Sequence, residues 1–398
     1  MSESSQSRFI EAAKSLAPQI TELAGEIEQS RRLPLPLVEN MAKAGLFRLW
    51  VPRAIGGEET DPMTLVRVVE EISRADGATG WCMALGAEYG VFGGYLPRDA
   101  AREIYGSDPN VRTAGAFRAA GNAIVVEGGY RVTGRWQLGS GCQHSKWLVG
   151  GCRIMDGNEQ RLRPDGAPVT RILFFPAHEC EIIDTWHSIG LRGTGSHDYA
   201  VADIFVPAER SLSFREPPVE PGPLYAMPTI ALFGTALAAV SLGIARHAID
   251  ILLELAETKT TGRSRGGPLR EDATMQASLG QAEALLRSGR AFLYEALADA
   301  WRVVASGQAL SSAQRAALWL ASTHAATAAK QATELMFSAG SSASPFSSFG
   351  LERCVRDIHA AAQHICVAPG NYQMAGQAFL GLDMRATMLL FSDDRTSL

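Results

Sequence analysis

The sequence lacks the short cysteine and histidine motifs that mark disulfide frameworks and zinc sites. Its six cysteines include no C-x-x-C pair, and its eight histidines form no H-E-x-x-H or H-x-x-x-H pair. In a chain of 398 residues, this scatter favours reduced thiols over a disulfide frame. We therefore expect no bound metal, and we predict that each cysteine is a small buried residue and not a nucleophile.

Nucleotide-binding motifs are also missing. No G-x-G-x-x-G follows a predicted strand, and no P-loop occurs. The nearest glycine cluster, Gly193-Thr194-Gly195, lies between strand candidates and is predicted to form a hairpin turn. Because the chain shows no nicotinamide-binding unit of its own, electrons for any redox reaction would have to come from another protein.

Strong charge and a membrane signal are absent as well. The net charge is only −5, which argues against nucleic acid as the main partner. The polar residues 1–7 lack the layout of a signal peptide. The apolar run 231–240 soon meets Arg246, His247 and Asp250, so no membrane-spanning segment is predicted. We expect a cytoplasmic protein with no membrane partner.

Helical patterns occupy both ends of the chain, and short strands occupy the middle. An apolar stripe at steps of three and four runs through Phe9, Ala13, Leu16, Ile20, Leu23 and Ile27. Strand candidates follow at 124–126, 130–132, 147–149, 171–175 and 199–206, and long helical segments at 229–258, 272–306, 311–338 and 351–367. This order predicts an α+β multidomain protein: an N-terminal helical domain (1–110), an antiparallel barrel or sandwich (111–217) and a C-terminal helical bundle (218–398).

Three segments resemble the acyl-CoA dehydrogenase superfamily. They are Gly129-Tyr-Arg-Val-Thr-Gly-Arg-Trp136 continuing to Trp147, Trp186-His-Ser-Ile-Gly-Leu-Arg-Gly-Thr-Gly-Ser196, and Leu351-Glu-Arg-Cys-Val-Arg-Asp357 leading to His364. With the helix–strand–helix order, the resemblance covers nearly the whole chain. It implies an N-terminal helical domain, a central antiparallel β-barrel and a C-terminal four-helix bundle, typically assembled as a homotetramer.

Departures from true acyl-CoA dehydrogenases indicate a particular branch. The glutamate that many of those enzymes use as a base is replaced by Ile365, and the paired glycines of a flavin-contacting loop are replaced by Ser341-Ser342. Gly134-Arg-Trp…Ser140-Gly-Cys142 and Arg356-Asp…Ala361-Ala-Gln-His364 are similar to motifs of the two-component flavin-dependent monooxygenases. That branch includes hydroxylases of 4-hydroxyphenylacetate, secosteroid phenols and indoles.

The resemblance implies a site that holds reduced flavin (FADH2 or FMNH2) and O2. Ser140 would lie near the reactive edge of the flavin, with Trp136, Gly141 and Cys142 also in the cofactor site. Arg263 and Arg265 would hold its phosphate groups, because a guanidinium binds phosphate oxygens in two places. The competing interpretations are a plain turn serine at position 140 and a solvated basic loop at positions 263–265.

The resemblance also implies that His364 is a catalytic base or hydrogen-bond partner for the substrate. If 351–367 is one helix, Asp357, Ala361 and His364 share a face while His359 points elsewhere; the competing interpretation is a histidine satisfied by a backbone carbonyl. Trp81, Tyr89 and Phe92 are candidates for an aromatic substrate pocket, although each could equally be helix core.

The implied activity is hydroxylation of a small phenol or indole through a flavin C4a-hydroperoxide. The reduced flavin would come from a separate NAD(P)H-dependent reductase, and a dry pocket would protect the hydroperoxide. Three alternatives share the fold: an acyl-CoA dehydrogenase with FAD, an N- or S-oxygenase, and a flavin-binding protein without turnover.

Overall fold

The computed structural model of the protein describes residues 3–259 and 267–382. Its helices are α1 (Glu3–Ser30), α2 (Leu35–Lys43), α3 (Pro62–Ala75), α4 (Gly77–Glu88), α5 (Arg98–Ala101), α6 (Pro223–Ala226), α7 (Thr229–Thr258), α8 (Ala273–Ala305), α9 (Ser312–Ala339), α10 (Leu351–Ala361) and α11 (Asn371–Phe379). Its strands are β1 (Thr113–Val126), β2 (Gly129–Gly139), β3 (Trp147–Asp156), β4 (Glu159–Gln160), β5 (Thr170–Pro176), β6 (Glu181–Ile183), β7 (His197–Pro207) and β8 (Ser211–Leu212). The predicted order of helices, strands and helices is confirmed.

The N-terminal helices form where the sequence predicts them. Phe9, Ile20 and Ile27 of the α1 stripe are buried against the core. Asp61 caps α3 by accepting a hydrogen bond from Thr64 N at 3.0 Å. Asp76 caps α4 in the same way through Thr79 N at 2.7 Å. The two aspartates set where α3 and α4 begin, and α4 carries one wall of the candidate site.

The sheet is mixed and open, so the prediction of an antiparallel barrel is wrong. The strands lie in the order β6-β7-β2-β1-β3-β5-β8, with β4 paired to β3. β1 pairs with β2 as an antiparallel hairpin, and its other edge pairs with β3 in parallel. The chain therefore crosses the start of β1 within residues 140–146. Strand patterns in a sequence do not reveal such a crossing, because pairing partners are set by long-range contacts.

The described residues from Thr229 onwards form three long α-helices and then two short ones. The bounds of α7, α8 and α9 confirm the predicted segments to within one residue at each end. The fourth segment is shorter than predicted, since α10 ends at Ala361 and is followed by turns up to Gly370. His364 therefore lies beyond the helix, in what we name the closing segment (residues 362–370).

Helix α7 lies at the centre of the protein. It packs against α3, α4, α9 and α10. By length and composition alone it is apolar enough to cross a membrane, contrary to the sequence-based expectation, but 72% of its most apolar window is buried inside the protein. The charged residues near Arg246 do not interrupt the helix; they lie on its less buried face, where Arg246 pairs with Asp250 and Glu283.

Candidate functional site

Four parts of the chain meet at one end of the sheet. They are α4, the β2–β3 connection that begins at Ser140, the β6–β7 connection (residues 184–196) and the closing segment. Trp81 of α4 links two of the others, because its indole Nε1 donates to Ser140 Oγ at 3.2 Å. Its ring also meets the ring of His364 edge-on at 5.6 Å between centroids. Trp81, Ser140 and His364 are thus neighbours.

Three buried hydroxyl groups form a chain of hydrogen bonds, which we name the hydroxyl chain: Ser140, Ser196 and Thr194. Ser140 Oγ lies 2.7 Å from Ser196 Oγ, which lies 2.6 Å from Thr194 Oγ1. Thr194 Oγ1 donates its proton to the carbonyl oxygen of Leu191 at 2.8 Å. Because each hydroxyl has one proton, Ser196 must donate to Thr194 and Ser140 must donate to Ser196.

This direction of bonding determines what Ser140 can offer a ligand. Its only proton is committed to Ser196, and one of its two lone pairs accepts from Trp81. One lone pair remains. Ser140 Oγ is therefore arranged to accept a hydrogen bond from an N–H or O–H group and not to donate one.

His364 is held as a neutral imidazole. Its Nδ1 accepts a hydrogen bond from the backbone N–H of Cys366 at 3.3 Å. The side chain is half-buried, and the surrounding protein desolvates the ring enough to lower its pKa to about 4. With Nδ1 as the acceptor, Nε2 carries the proton of the neutral ring.

The shared helical face predicted for Asp357, Ala361 and His364 does not exist, since the helix ends at Ala361. Asp357 is buried, and its Oδ1 accepts from Leu191 N at 2.6 Å. Burial and the nearby Asp76 carboxyl raise its pKa to about 7. Asp357 thus ties α10 to the β6–β7 connection. His359 points away, as predicted, and its Nε2 lies 2.9 Å from Glu334 Oε1.

The two residues after Ser140 bind the β6–β7 connection through the backbone. Gly141 N donates to Thr194 O at 2.8 Å, and the Cys142 thiol donates to Gly195 O at 3.6 Å. Gly141 has a φ of 75°, and a Cβ there would lie 2.9 Å from His144 Nε2, so glycine is needed. Burial raises the pKa of the Cys142 thiol to about 12, which leaves it protonated and unreactive.

Gly193-Thr194-Gly195 is not a hairpin turn, contrary to the prediction. Arg192–Thr194 form a single 3₁₀ turn within the long connection between β6 and β7. A Cβ on Gly193 would collide with Ile27 of α1. The glycines therefore let this connection pack closely on the N-terminal helices, and Thr194 is held at the end of the hydroxyl chain.

Three residues assigned to the site from the sequence lie in packed cores. Trp136 stacks on Tyr199 at 5.4 Å between centroids, and its Nε1 donates to Gly151 O. Tyr89 donates to Gly115 O at 2.8 Å and stacks on Phe92. All three aromatic side chains are buried, and no contact joins them directly to Ser140 or His364 among the described residues.

A separate cleft of about 480 Å³ lies between the ends of α7 and α9 and the start of α8. Its lining includes Lys259, Thr274, Ser278 and the Ser341–Ser342 pair. Arg263 and Arg265, the predicted phosphate-binding residues, lie outside the described residues. The described chain resumes at Gly267, a few residues beyond these arginines.

Two family models match the chain: the acyl-CoA dehydrogenase N-terminal domain over residues 4–96 and the acyl-CoA dehydrogenase C-terminal domain over residues 235–369. The indole-3-acetate monooxygenase of Pseudomonas putida is 32% identical over 358 residues, which cover 90% of each chain. The chain belongs to the flavin-dependent monooxygenase branch of the acyl-CoA dehydrogenase superfamily. The predicted family is confirmed.

Other members of this monooxygenase family are similar over nearly their whole length. The flavin-dependent monooxygenase oxygenase subunit HsaA of Rhodococcus jostii is 29% identical over 94% of this chain and 98% of its own. The structure of XiaF from Streptomyces sp. in complex with FADH2 and glycerol has a TM-score of 0.88 and 27% identity. It covers 96% of this chain and 97% of that one.

The described residues fit a flavin ring in this monooxygenase. Ser140 presents an unused acceptor. Large aliphatic side chains are exposed next to the site residues: Leu138 precedes Ser140, Ile189 belongs to the β6–β7 connection, and Ile365 follows His364. An apolar planar ring with an N–H edge would satisfy the acceptor and cover exposed apolar surface.

Sequence reasoning missed Ser196, Thr194 and Glu88. Ser196 and Thr194 lie within a segment that carries the resemblance, but their link to Ser140 spans 56 residues of chain, from Ser140 to Ser196. Glu88 lies in a helical pattern with ordinary apolar neighbours. A single carboxylate there predicts an exposed position, whereas the structure buries it completely.

Proposed function

We propose that the protein is the oxygenase component of a two-component monooxygenase that hydroxylates a small phenol or indole with reduced flavin and O2. The observation that carries this proposal is the hydroxyl chain. It makes Ser140 a fixed hydrogen-bond acceptor beside Trp81 and the neutral His364. A separate NAD(P)H-dependent reductase supplies the reduced flavin, since the chain has no nicotinamide-binding motif.

When bound, reduced flavin supplies the electrons that activate O2. Ser140 Oγ would help to hold the flavin by accepting a hydrogen bond from one of its ring N–H groups. Ser196 and Thr194 act as positioning residues, because they keep the proton of Ser140 turned away from the ring. Trp81 fixes the Ser140 hydroxyl from the opposite side.

His364 orients the substrate. As a neutral ring with its proton on Nε2, it offers a donor to the oxygen of a phenol. With a pKa of about 4, it is a weak base in the free protein, so we favour its role as hydrogen-bond partner over that of proton acceptor. The edge-on contact with Trp81 sets the plane of the imidazole.

The cleft at the end of α7 is the proposed place for the phosphate groups of a flavin held across a subunit boundary. Its lining carries the Lys259 ammonium and several hydroxyl groups, which suit a phosphate, together with the Asp272 carboxyl, which already accepts from Thr274 N and Met275 N in the first turn of α8. Arg263 and Arg265 remain the proposed phosphate ligands. This arrangement requires a second subunit, and we propose a cytoplasmic homotetramer with domains 1–110, 111–217 and 218–398.

The test is to mix the protein anaerobically with FADH2 or FMNH2, add O2 and record the absorbance spectrum. We expect a long-lived species that differs from both reduced and oxidised flavin, and hydroxylated product when a phenol or indole is present. Immediate conversion to oxidised flavin and peroxide with both cofactors and all substrates would contradict the proposal. Bleaching of FAD-loaded protein by an acyl-CoA would instead support a dehydrogenase.

A further inference from the structure

Glu88, the last residue of α4, is completely buried and unpaired. Its exposed fraction is 0%. Neither carboxyl oxygen has a hydrogen-bond partner within residues 3–259 and 267–382. A buried polar group without a partner costs about 1–3 kcal/mol, and native structures rarely leave one in this condition. The fold itself therefore gives no reason for a carboxyl group at this position.

The helix places Glu88 on the same face of α4 as Trp81. Trp81 and Glu88 are seven residues apart, which is close to two full turns, so they share a face of α4 about 10 Å apart along the axis. Leu85 lies between them on that face, one turn before Glu88. It is only half-buried, although the residues on both sides of it in the sequence are buried. The face that meets Ser140 and His364 through Trp81 thus continues past incompletely covered apolar surface to the carboxyl group.

The closing segment lies opposite this face. The Glu88 carboxyl is near enough to the Cys366 thiol for its charge to help raise the pKa of that thiol, after the larger effect of burial. Cys366 in turn donates its backbone N–H to His364 Nδ1. Glu88 of α4 therefore lies close to the closing segment, which also contains His364.

We propose that Glu88 is a further substrate-contacting residue, whose carboxyl group hydrogen-bonds the ring N–H or the hydroxyl group of the aromatic substrate. This inference rests on the proposed function and deepens it, because it names the group that selects a substrate with a polar hydrogen. An indole or a phenol supplies the hydrogen-bond partner that the Glu88 carboxyl group lacks among the described residues.

The state of the carboxyl group suits a neutral ligand. Desolvation raises the pKa of Glu88 well above its usual value, which favours the uncharged form of the group. An uncharged carboxyl has both an acceptor oxygen and a donor O–H. It can accept from an indole N–H or exchange hydrogen bonds with a phenol. Discrimination is expected to be strong, because a ligand without the polar hydrogen leaves the buried group unpaired.

The test compares isosteric ligands on the protein loaded with oxidised FAD or FMN, by isothermal titration calorimetry. The pairs are indole with benzofuran and phenol with fluorobenzene, which differ in the polar hydrogen. We expect the wild-type protein to bind indole and phenol about tenfold more tightly than their partners. Glu88→Met should reduce the indole-to-benzofuran ratio to about one and the phenol-to-fluorobenzene ratio in part, because His364 still donates to the phenol oxygen. Glu88→Gln, which keeps a donor and an acceptor, should retain part of both ratios. Glu254→Met, at an exposed position of α7, is the matched control and should leave the ratio unchanged.

Infrared difference spectroscopy supplies a second readout. Indole should shift the C=O band of a protonated carboxyl group, benzofuran should not, and the band should be absent in Glu88→Met. The proposal is overturned if Glu88→Met keeps the wild-type ratio, or if the wild-type protein binds neither indole nor phenol. Because no turnover is involved, an unchanged ratio in Glu88→Met counts against the role of Glu88 alone, whereas the absence of a long-lived oxygenated flavin counts against the proposed function.

Discussion

The two sides of the candidate site differ in how completely their polar groups are paired. At the end of the sheet, every hydroxyl of the hydroxyl chain has its proton committed, and the backbone of Gly141 and Cys142 is bonded to the β6–β7 connection. The other side consists of α4 and the closing segment. There, neither the Glu88 carboxyl nor the Nε2 proton of His364 has a hydrogen-bond partner among the described residues. The paired side suits a cofactor that always binds in one position. The unpaired side suits a substrate that supplies the missing hydrogen bonds.

The largest effect should come from the unpaired side. His364→Ala removes the proposed substrate-orienting group, and positioned acid–base or hydrogen-bonding groups contribute about 10²–10⁴-fold to enzymatic rates. We expect kcat/KM for hydroxylation to fall about 100-fold, with more of the reduced flavin consumed as peroxide. His359→Ala, five residues away on α10 beside Glu334, is the control and should retain activity. Comparable losses in both variants would contradict the assigned role.

Substitution of Glu88 should increase the stability of the folded protein, in contrast to the loss of activity expected for His364→Ala. Glu88→Met replaces an unpaired buried carboxyl with an apolar side chain of similar length, which removes a desolvation cost of about 1–3 kcal/mol. We expect a higher denaturation midpoint at unchanged m value in urea. Such a gain with loss of substrate selection is typical of a functional position. A destabilised Glu88→Met protein would show that the carboxyl has a structural partner after all.

The sequence predicts those features of the fold and the site that depend on neighbouring residues. It does not predict contacts between residues that are far apart in the chain. The bounds of α3 follow from local signals, a proline in the first turn and an aspartate cap. The predicted helix 351–367 extends too far, because Ala360-Ala-Ala favours helix while the break after Ala361 depends on packing of the closing segment. The parallel pairing of β1 with β3 and the bond between Ser140 and Ser196 join distant residues. Local patterns contain no information on either contact.

On the paired side, Ser140→Ala should have an effect of intermediate size. It removes the proposed acceptor for a flavin N–H, and a single hydrogen bond contributes about 0.5–1.5 kcal/mol. We expect the lifetime of the oxygenated flavin to fall about tenfold at the larger of these energies, measured by stopped-flow absorbance. Binding of indole should change little. A variant with an unchanged lifetime would place the stabilising contact elsewhere.

Ser196→Ala tests the hydrogen bond that holds Ser140 and should have a smaller effect than Ser140→Ala. It leaves Ser140 in place but removes the acceptor for its proton, so the Ser140 hydroxyl becomes free to rotate. We expect a few-fold shorter lifetime of the oxygenated flavin, and little further loss when Ser196→Ala is added to Ser140→Ala. Additive losses in the double variant would show that Ser196 acts on the flavin by another route.

The smallest expected effect is an absence of pH dependence. Burial lowers the pKa of His364 to about 4, so the imidazole stays neutral in the folded protein from pH 8 down to about pH 5. The ring chemical shifts of His364 should therefore be constant over this range, and kcat/KM should show no ionisation near pH 6.5 that disappears in His364→Asn.

The low pKa of His364 also affects the stability of the folded protein, in a direction that can be stated. Between pH 6.5 and 4 the unfolded chain binds a proton that the folded protein excludes, so this histidine lowers stability as the pH falls. His364→Asn should reduce that acid-induced loss, and a ring that titrates near pH 6.5 would show that the unpaired side of the site is open to water.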